Sequence, residues 1–130
     1  MSNVPTNLKY TKDHEWAKLD GKTLTMGITA FAAEQLGDIV FVDLPKKGEA
    51  VKAGGTCGAV ESTKAVSDVF SPVSGTVVEV NAALADAPET INQDPYVKGW
   101  IAKIELASAQ EYQALMDAAK YEEHLKTAKH

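Results

Sequence analysis

Through the first 105 positions apolar residues come in short runs broken by turn residues, and helical three-to-four spacing is scarce. That pattern predicts a mostly β fold, a sandwich or barrel of short strands. Leu24, Met26 and Ile28 alternate with Thr25 and Gly27, as a half-buried strand requires. Residues 39–44 form a denser strand closed by Pro45, which cannot donate to a ladder. Between the two, Thr29 has the side chain of an N-cap and Gly37 suits a helix C-terminus. Ala30–Leu36 is therefore expected to be two turns of helix on the outside of the β body.

An internal regularity divides this β region. Gly37, Ile39, Val40 and Val42 recur as Gly75, Val77, Val78 and Val80 at an offset of 38. Gly55, Cys57, Val60 and Glu61 recur as Gly99, Ile101, Ile104 and Glu105 at an offset of 44, the six added residues falling between Asn81 and Asp94. Matched glycines in matched apolar frames predict two similar β halves. From Ser108 the period changes. Ser108 and Glu111 have capping-box spacing, and Tyr112, Leu115, Met116 and Ala119 share one face of the helix they would open. A further turn or two turns Tyr121 and Leu125 to the body and Glu122, Glu123, Lys126 and Lys129 to water. The expected organisation is one domain over residues 1–130, with a β core at about 7–106 and a helical cap at about 109–127.

Composition narrows the function. With 45% hydrophobic and 24% charged residues, a chain of 130 can bury roughly two-thirds of its unfolded surface without metal or disulfide staples. The apolar run 39–42 is far short of the roughly 20 residues that span a bilayer, so no membrane segment is expected. The stretch from Met1 to Pro5 has neither a basic nor an apolar leader pattern, so the expected location is the cytoplasm. Thirteen Lys plus Arg against 18 Asp plus Glu leave a net charge of −5, which opposes nucleic-acid binding. Cys57 lies in an apolar run and reads as a buried, inert thiol. His14, His124 and His130 have no partner at ligand spacing, so no metal is expected. No Ser/His/Asp set, phosphate-cradling glycine pattern or carboxylate pair suggests an enzyme.

The segment Glu61-Ser62-Thr63-Lys64-Ala65, between apolar runs 56–60 and 66–70, reads as a hairpin tip. Lysine there offers a four-carbon stem ending in an amine that an enzyme could acylate, although a solvated surface lysine fits the same spacing. Asp68 shares strand parity with Val66 and Phe70, so an acid interrupts an apolar phase. Either an edge position or a polar cleft follows.

Glu61-Ser62-Thr63-Lys64-Ala65-Val66-Ser67-Asp68, followed by Ser71-Pro72-Val73-Ser74-Gly75, resembles the lipoyl-attachment region of glycine cleavage system H proteins. His14-Glu15-Trp16, Gly27-Ile28-Thr29, Gly37 to Val42, Asn92 to Tyr96 and Gly99-Trp100 resemble that family in the same order and cover nearly the whole chain. Thr63 stands where one common form of the motif has valine.

The resemblance implies a barrel-sandwich hybrid that carries lipoic acid in amide linkage on Lys64 and is not itself an enzyme. It implies four partners: glycine decarboxylase (P protein), an aminomethyltransferase (T protein), dihydrolipoamide dehydrogenase (L protein) and a lipoate-attaching enzyme. By the same resemblance Glu15, Asp13 and Asp68 are candidates to hold the amine of the loaded arm, and a carboxylate favours an ammonium through a charge-assisted bond. Glu61 and Gly75 match positions offered to the lipoate-attaching enzyme. Glu61 could equally solubilise the hairpin, and Gly75 could supply a bend or a positive φ. Two other carriers are similar in part: an H-like lipoyl-relay protein, and the lipoyl domain of a 2-oxoacid dehydrogenase, which the extensions at both ends oppose. Thr63-Lys64-Ala65 lacks the two methionines of a biotin carrier.

Overall fold

Leu24, Met26 and Ile28 are buried in a row, as their alternation predicts, on a strand running Thr23–Ile28. This computed structural model describes residues 4–127, so Lys129 and His130 lie outside the described residues. The strands are β1 (Lys9–Tyr10), β2 (Glu15–Asp20), β3 (Thr23–Ile28), β4 (Ile39–Asp43), β5 (Ala50–Val51), β6 (Thr56–Ser62), β7 (Val66–Phe70), β8 (Gly75–Val80) and β9 (Ala102–Leu106). The helices are α1 (Ala30–Leu36), α2 (Ala83–Asp86), α3 (Thr90–Gln93), α4 (Ala109–Gln113) and α5 (Ala118–Thr127). One sheet has the order β1-β2-β3-β9-β8-β5 and the other β4-β6-β7. The core lies between them: Ala17, Met26, Val77 and Ile104 of the first sheet and Val42, Cys57, Val60 and Val69 of the second belong to one buried cluster.

Helix α1 has the predicted bounds. Thr29 Oγ1 accepts from the Ala32 amide at 3.2 Å, and Gly37 ends the helix at φ 83°, a conformation that costs glycine little. In β4 the pairing shifts between Ile39 and Phe41. This bulge turns both Ile39 and Val42 inward and leaves Val40 and Phe41 about half exposed.

The repeat has a structural counterpart. At the level of strands β4 pairs with β6 as β8 pairs with β9, although the register differs: Val42 is opposite Val60, whereas its counterpart Val80 is opposite Ala102 and Ile104 faces Val77. The matched pairs fall in different sheets, and α2 and α3 occupy the stretch where the second copy is longer.

The C-terminal cap differs from expectation in two ways. Ser108 Oγ accepts from the Gln110 amide at 3.3 Å, but Glu111 does not complete a capping box. Its carboxylate instead accepts from the Ser74 amide at 2.7 Å and the Ser74 hydroxyl at 3.0 Å, anchoring α4 to the loop before β8. The first of the expected helices, which would carry Tyr112 to Ala119 on one face, ends after Gln113. Met116 exchanges two backbone hydrogen bonds with Tyr10, at 2.8 and 2.9 Å, which a helical residue could not do, and Ala119 is exposed in the next helix. α5 then buries Tyr121, whose ring stacks on Tyr10 at 4.5 Å between centroids and 7° between planes. With Trp16 these rings form a second apolar cluster under the cap, each contributing about 2–3 kcal/mol of burial.

Candidate functional site

Lys64 is exposed at the apex of the β6–β7 hairpin. Ser62 organises the turn: its amide donates to the Ala65 carbonyl at 2.8 Å, and its Oγ accepts from the amides of Lys64 and Ala65 at 3.2 and 3.1 Å. The tip is joined to β4 and the loop before it: Ser62 is opposite Ile39 in the ladder, and the Thr63 amide donates to the Asp38 carbonyl at 3.1 Å. The lysine stem lies along the loop after α1, where a Cβ built on Gly37 would be 3.6 Å from Lys64 Cε.

A second feature lies at the far end of β7. Thr11 shapes the turn into β2: its Oγ1 accepts from the amides of Asp13 and Glu15 and donates to Glu15 Oε1 at 2.5 Å. His14 takes a positive φ of 72° within this turn, and its Nδ1 is 2.8 Å from the Tyr121 hydroxyl. Glu15 thus starts β2 on the same inward phase as Ala17 and is only 1% exposed. Its Oε2 accepts from the Phe70 amide at 3.1 Å. Burial pushes the carboxyl up to about 7, helped by nearby Asp13 and opposed by the bonds from Thr11 and Phe70. Glu15 and Asp13 line a cavity of about 330 Å³ whose other walls include Tyr10, Phe70, Pro72, Leu115 and Met116. An acid at the edge of neutrality in a largely apolar recess suits a small cation that must be kept from water.

A sequence model of the glycine cleavage H-protein family matches residues 8–128. The chain belongs to this family. It is 55% identical over 118 residues to the glycine cleavage system H protein of Anaeromyxobacter sp. (strain K), covering 91% of this chain and 92% of that one. With its counterpart from Escherichia coli O7:K1 (strain IAI39 / ExPEC) it shares 54% over 123 residues, 94% and 95% of the two chains. Its fold matches the crystal structure of a glycine cleavage system H protein from Mycobacterium marinum with a TM-score of 0.87 at 43% identity, covering 95% of this chain and 99% of that one. Membership makes the chain a carrier component of glycine cleavage, with partners inside that system. Among the described residues no helix is long and apolar enough to cross a membrane.

The remaining residues suggested by the H-protein resemblance are spread over the fold. Asp13 is exposed at the rim of the Glu15 cavity. Asp68 is exposed on the edge strand β7, opposite Ala59, and lines a different recess beside Lys46 and Glu49. Val66 is 66% exposed, so the phase that Asp68 shares faces out rather than into an apolar layer. Glu61 is half-buried on β6 between Phe41 and Val66. Gly75 pairs with Val51 and Leu106 in the other sheet. Its φ is not positive. A Cβ there would lie 2.1 Å from the Glu105 carbonyl, so backbone approach explains the glycine. Cys57 is buried, and burial raises its thiol to about 11, consistent with an inert core residue.

Sequence reasoning missed Thr11, Ser62 and Asn92. The first two had a legible signal, a hydroxyl residue opening a polar turn. Asn92 stood in a segment that resembles the family, but nothing local gave its partners, which are 53 and 55 positions away.

Proposed function

We propose that Lys64 is the attachment point of lipoic acid and that the chain is a shuttle without catalysis of its own. The observation that carries this reading is the tip: an exposed amine on a turn held rigid by Ser62. Amide formation removes the ammonium charge, and among the described residues no ion pair engages Lys64 that this would break. When attached, lipoate supplies a dithiolane that receives the aminomethyl group of glycine from P protein, yields it to T protein and is reoxidised by L protein.

The chain's own residues present and shelter. Lysine plus lipoyl chain reaches on the order of a dozen ångströms, from bond lengths of about 1.5 Å. Val66, Asp68 and Phe70 share one face of β7, a track from the tip towards the cavity in which the Phe70 amide meets Glu15. On this reading Glu15 and Asp13 hold the ammonium in the cavity, where the apolar wall keeps water from it, and Asp68, in a neighbouring recess on the same strand, offers a carboxylate along the way. Glu61 flanks the lysine for the lipoate-attaching enzyme, and Gly75 keeps β8 and β9 in register.

The test is intact mass spectrometry with peptide mapping after incubation with lipoate-attaching enzyme, ATP and lipoate. The expected result is one lipoyl increment on the peptide containing Lys64, absent in Lys64→Arg; the increment on another lysine would overturn the site. The lipoylated chain should support glycine decarboxylation and its exchange reaction with P protein. Failure in both would leave lipoyl relay as the better reading.

A further inference from the structure

Asn92, on the single-turn helix α3, makes two hydrogen bonds to a segment distant in sequence. Its Nδ2 donates to the Gly37 carbonyl at 2.8 Å, and its Oδ1 accepts from the Ile39 amide at 2.9 Å. A side-chain amide bound on both faces to one stretch of backbone does what a neighbouring strand would do: it fixes that stretch in position and direction. The residue between those two partners is Asp38, whose carbonyl receives the Thr63 amide at 3.1 Å. The same loop lies against the Lys64 stem at Gly37. The helix that carries Asn92 is anchored by Ile91, which is fully buried. A continuous series of contacts therefore runs from the core through Asn92 and Asp38 to the residue before Lys64.

We propose that Asn92 is a positioning residue for modification of Lys64, fixing the Asp38 carbonyl beneath the hairpin tip so that the amine is offered in one pose to the lipoate-attaching enzyme. The inference rests on the reading of Lys64 as the lipoylated residue. Asn92 is exposed and its two hydrogen bonds go to the 37–39 backbone, so it acts on the tip through the loop. Without it, Ser62 still closes the turn and still pairs with Ile39 in the β4–β6 ladder, but the loop that presents the Asp38 carbonyl loses its tie to α3. The cost falls on recognition by the enzyme.

The experiment uses the full unmodified chain as substrate for a lipoate-attaching enzyme with ATP and lipoate, comparing wild type, Asn92→Ala and Asn92→Asp. Asn92→Asp keeps the shape but sets a carboxylate oxygen against the Gly37 carbonyl. Val51→Ala, in the other sheet, controls for lost stability. The expected result is a fall in kcat/KM of about tenfold for both Asn92 variants, carried by KM, with Val51→Ala at the wild-type value. Hydrogen exchange of the Thr63 amide should quicken by about the same factor in the Asn92 variants while that of core Val60 does not. Wild-type kinetics in both Asn92 variants, or unchanged Thr63 exchange, would overturn the proposal. An equal loss in Val51→Ala would reduce Asn92 to a general stabiliser and overturn it too. A wild-type chain that takes no lipoyl on Lys64 would fail at the underlying reading, and this inference would fall with it.

Discussion

Glu15 occupies an inward-facing position on a strand, where its neighbours in phase are apolar, and the two bonds it accepts do not offset the loss of water. Its carboxyl therefore holds a proton up to about pH 7 in the folded chain, against an ordinary value of 4.5. Between those values the native state binds more protons than the unfolded one. The stability that Glu15 contributes is full below about 4.5 and is lost as pH rises through about 7. Glu15→Gln cannot ionise, so urea midpoints of wild type and variant should diverge as pH rises from 4.5 to 8, the wild type losing at most about 1.4 kcal/mol per pH unit relative to the variant. Parallel curves would place that proton elsewhere. Gly75 is a second residue governed by its surroundings, since a side chain there would meet the Glu105 carbonyl at 2.1 Å. Gly75→Val should cost about 3 kcal/mol or more, seen as a collapsed denaturant midpoint, by forcing β8 from β9. A variant of native stability would contradict the observed approach of the two strands.

At the scale of elements, the hairpin tip works because a local device closes it and a distant one orients it. Ser62→Ala removes the hydroxyl that accepts from the Lys64 and Ala65 amides. The expected cost is about 1 kcal/mol, with faster amide exchange confined to residues 63–65, and uniform exchange across β6 and β7 would rule out this role. Local chemistry of this kind was legible: Thr29 and Gly37 bracketed α1 correctly, and a lysine between two apolar runs did mark a hairpin. The cap was less legible. Glu111 had the spacing of a capping box, but Ser74 offered it an amide and a hydroxyl together, and tertiary partners outweighed the local one. β1, β5, α2 and α3 are too short for periodicity to reveal, and they exist because neighbours pair with them or cover them.

Across the whole molecule, the C-terminal helix α5 reaches back to the turn that aims Glu15. The Tyr121 hydroxyl is 2.8 Å from both Thr29 Oγ1 and His14 Nδ1, which joins α5, the cap of α1 and the left-handed residue before Glu15. Tyr121→Phe keeps the stacked ring and should lose about 1–2 kcal/mol in urea unfolding, whereas an unchanged midpoint would show that these bonds add nothing beyond packing. The order of residues by itself determined the mostly β class, the helix at 30–36, the exposure of Lys64 and, through resemblance along nearly the whole chain, the family. These depend on neighbours a few positions apart or on residue identity in sequence. Only the tertiary structure decided that Glu15 is buried with its carboxyl pushed up to about 7, that Asp68 faces outward on an edge, that Gly75 is needed for backbone approach, and that Asn92 braces the tip. Each of those outcomes depends on which distant segment lies within a few ångströms, and desolvation, steric exclusion and hydrogen bonding act only at such distances.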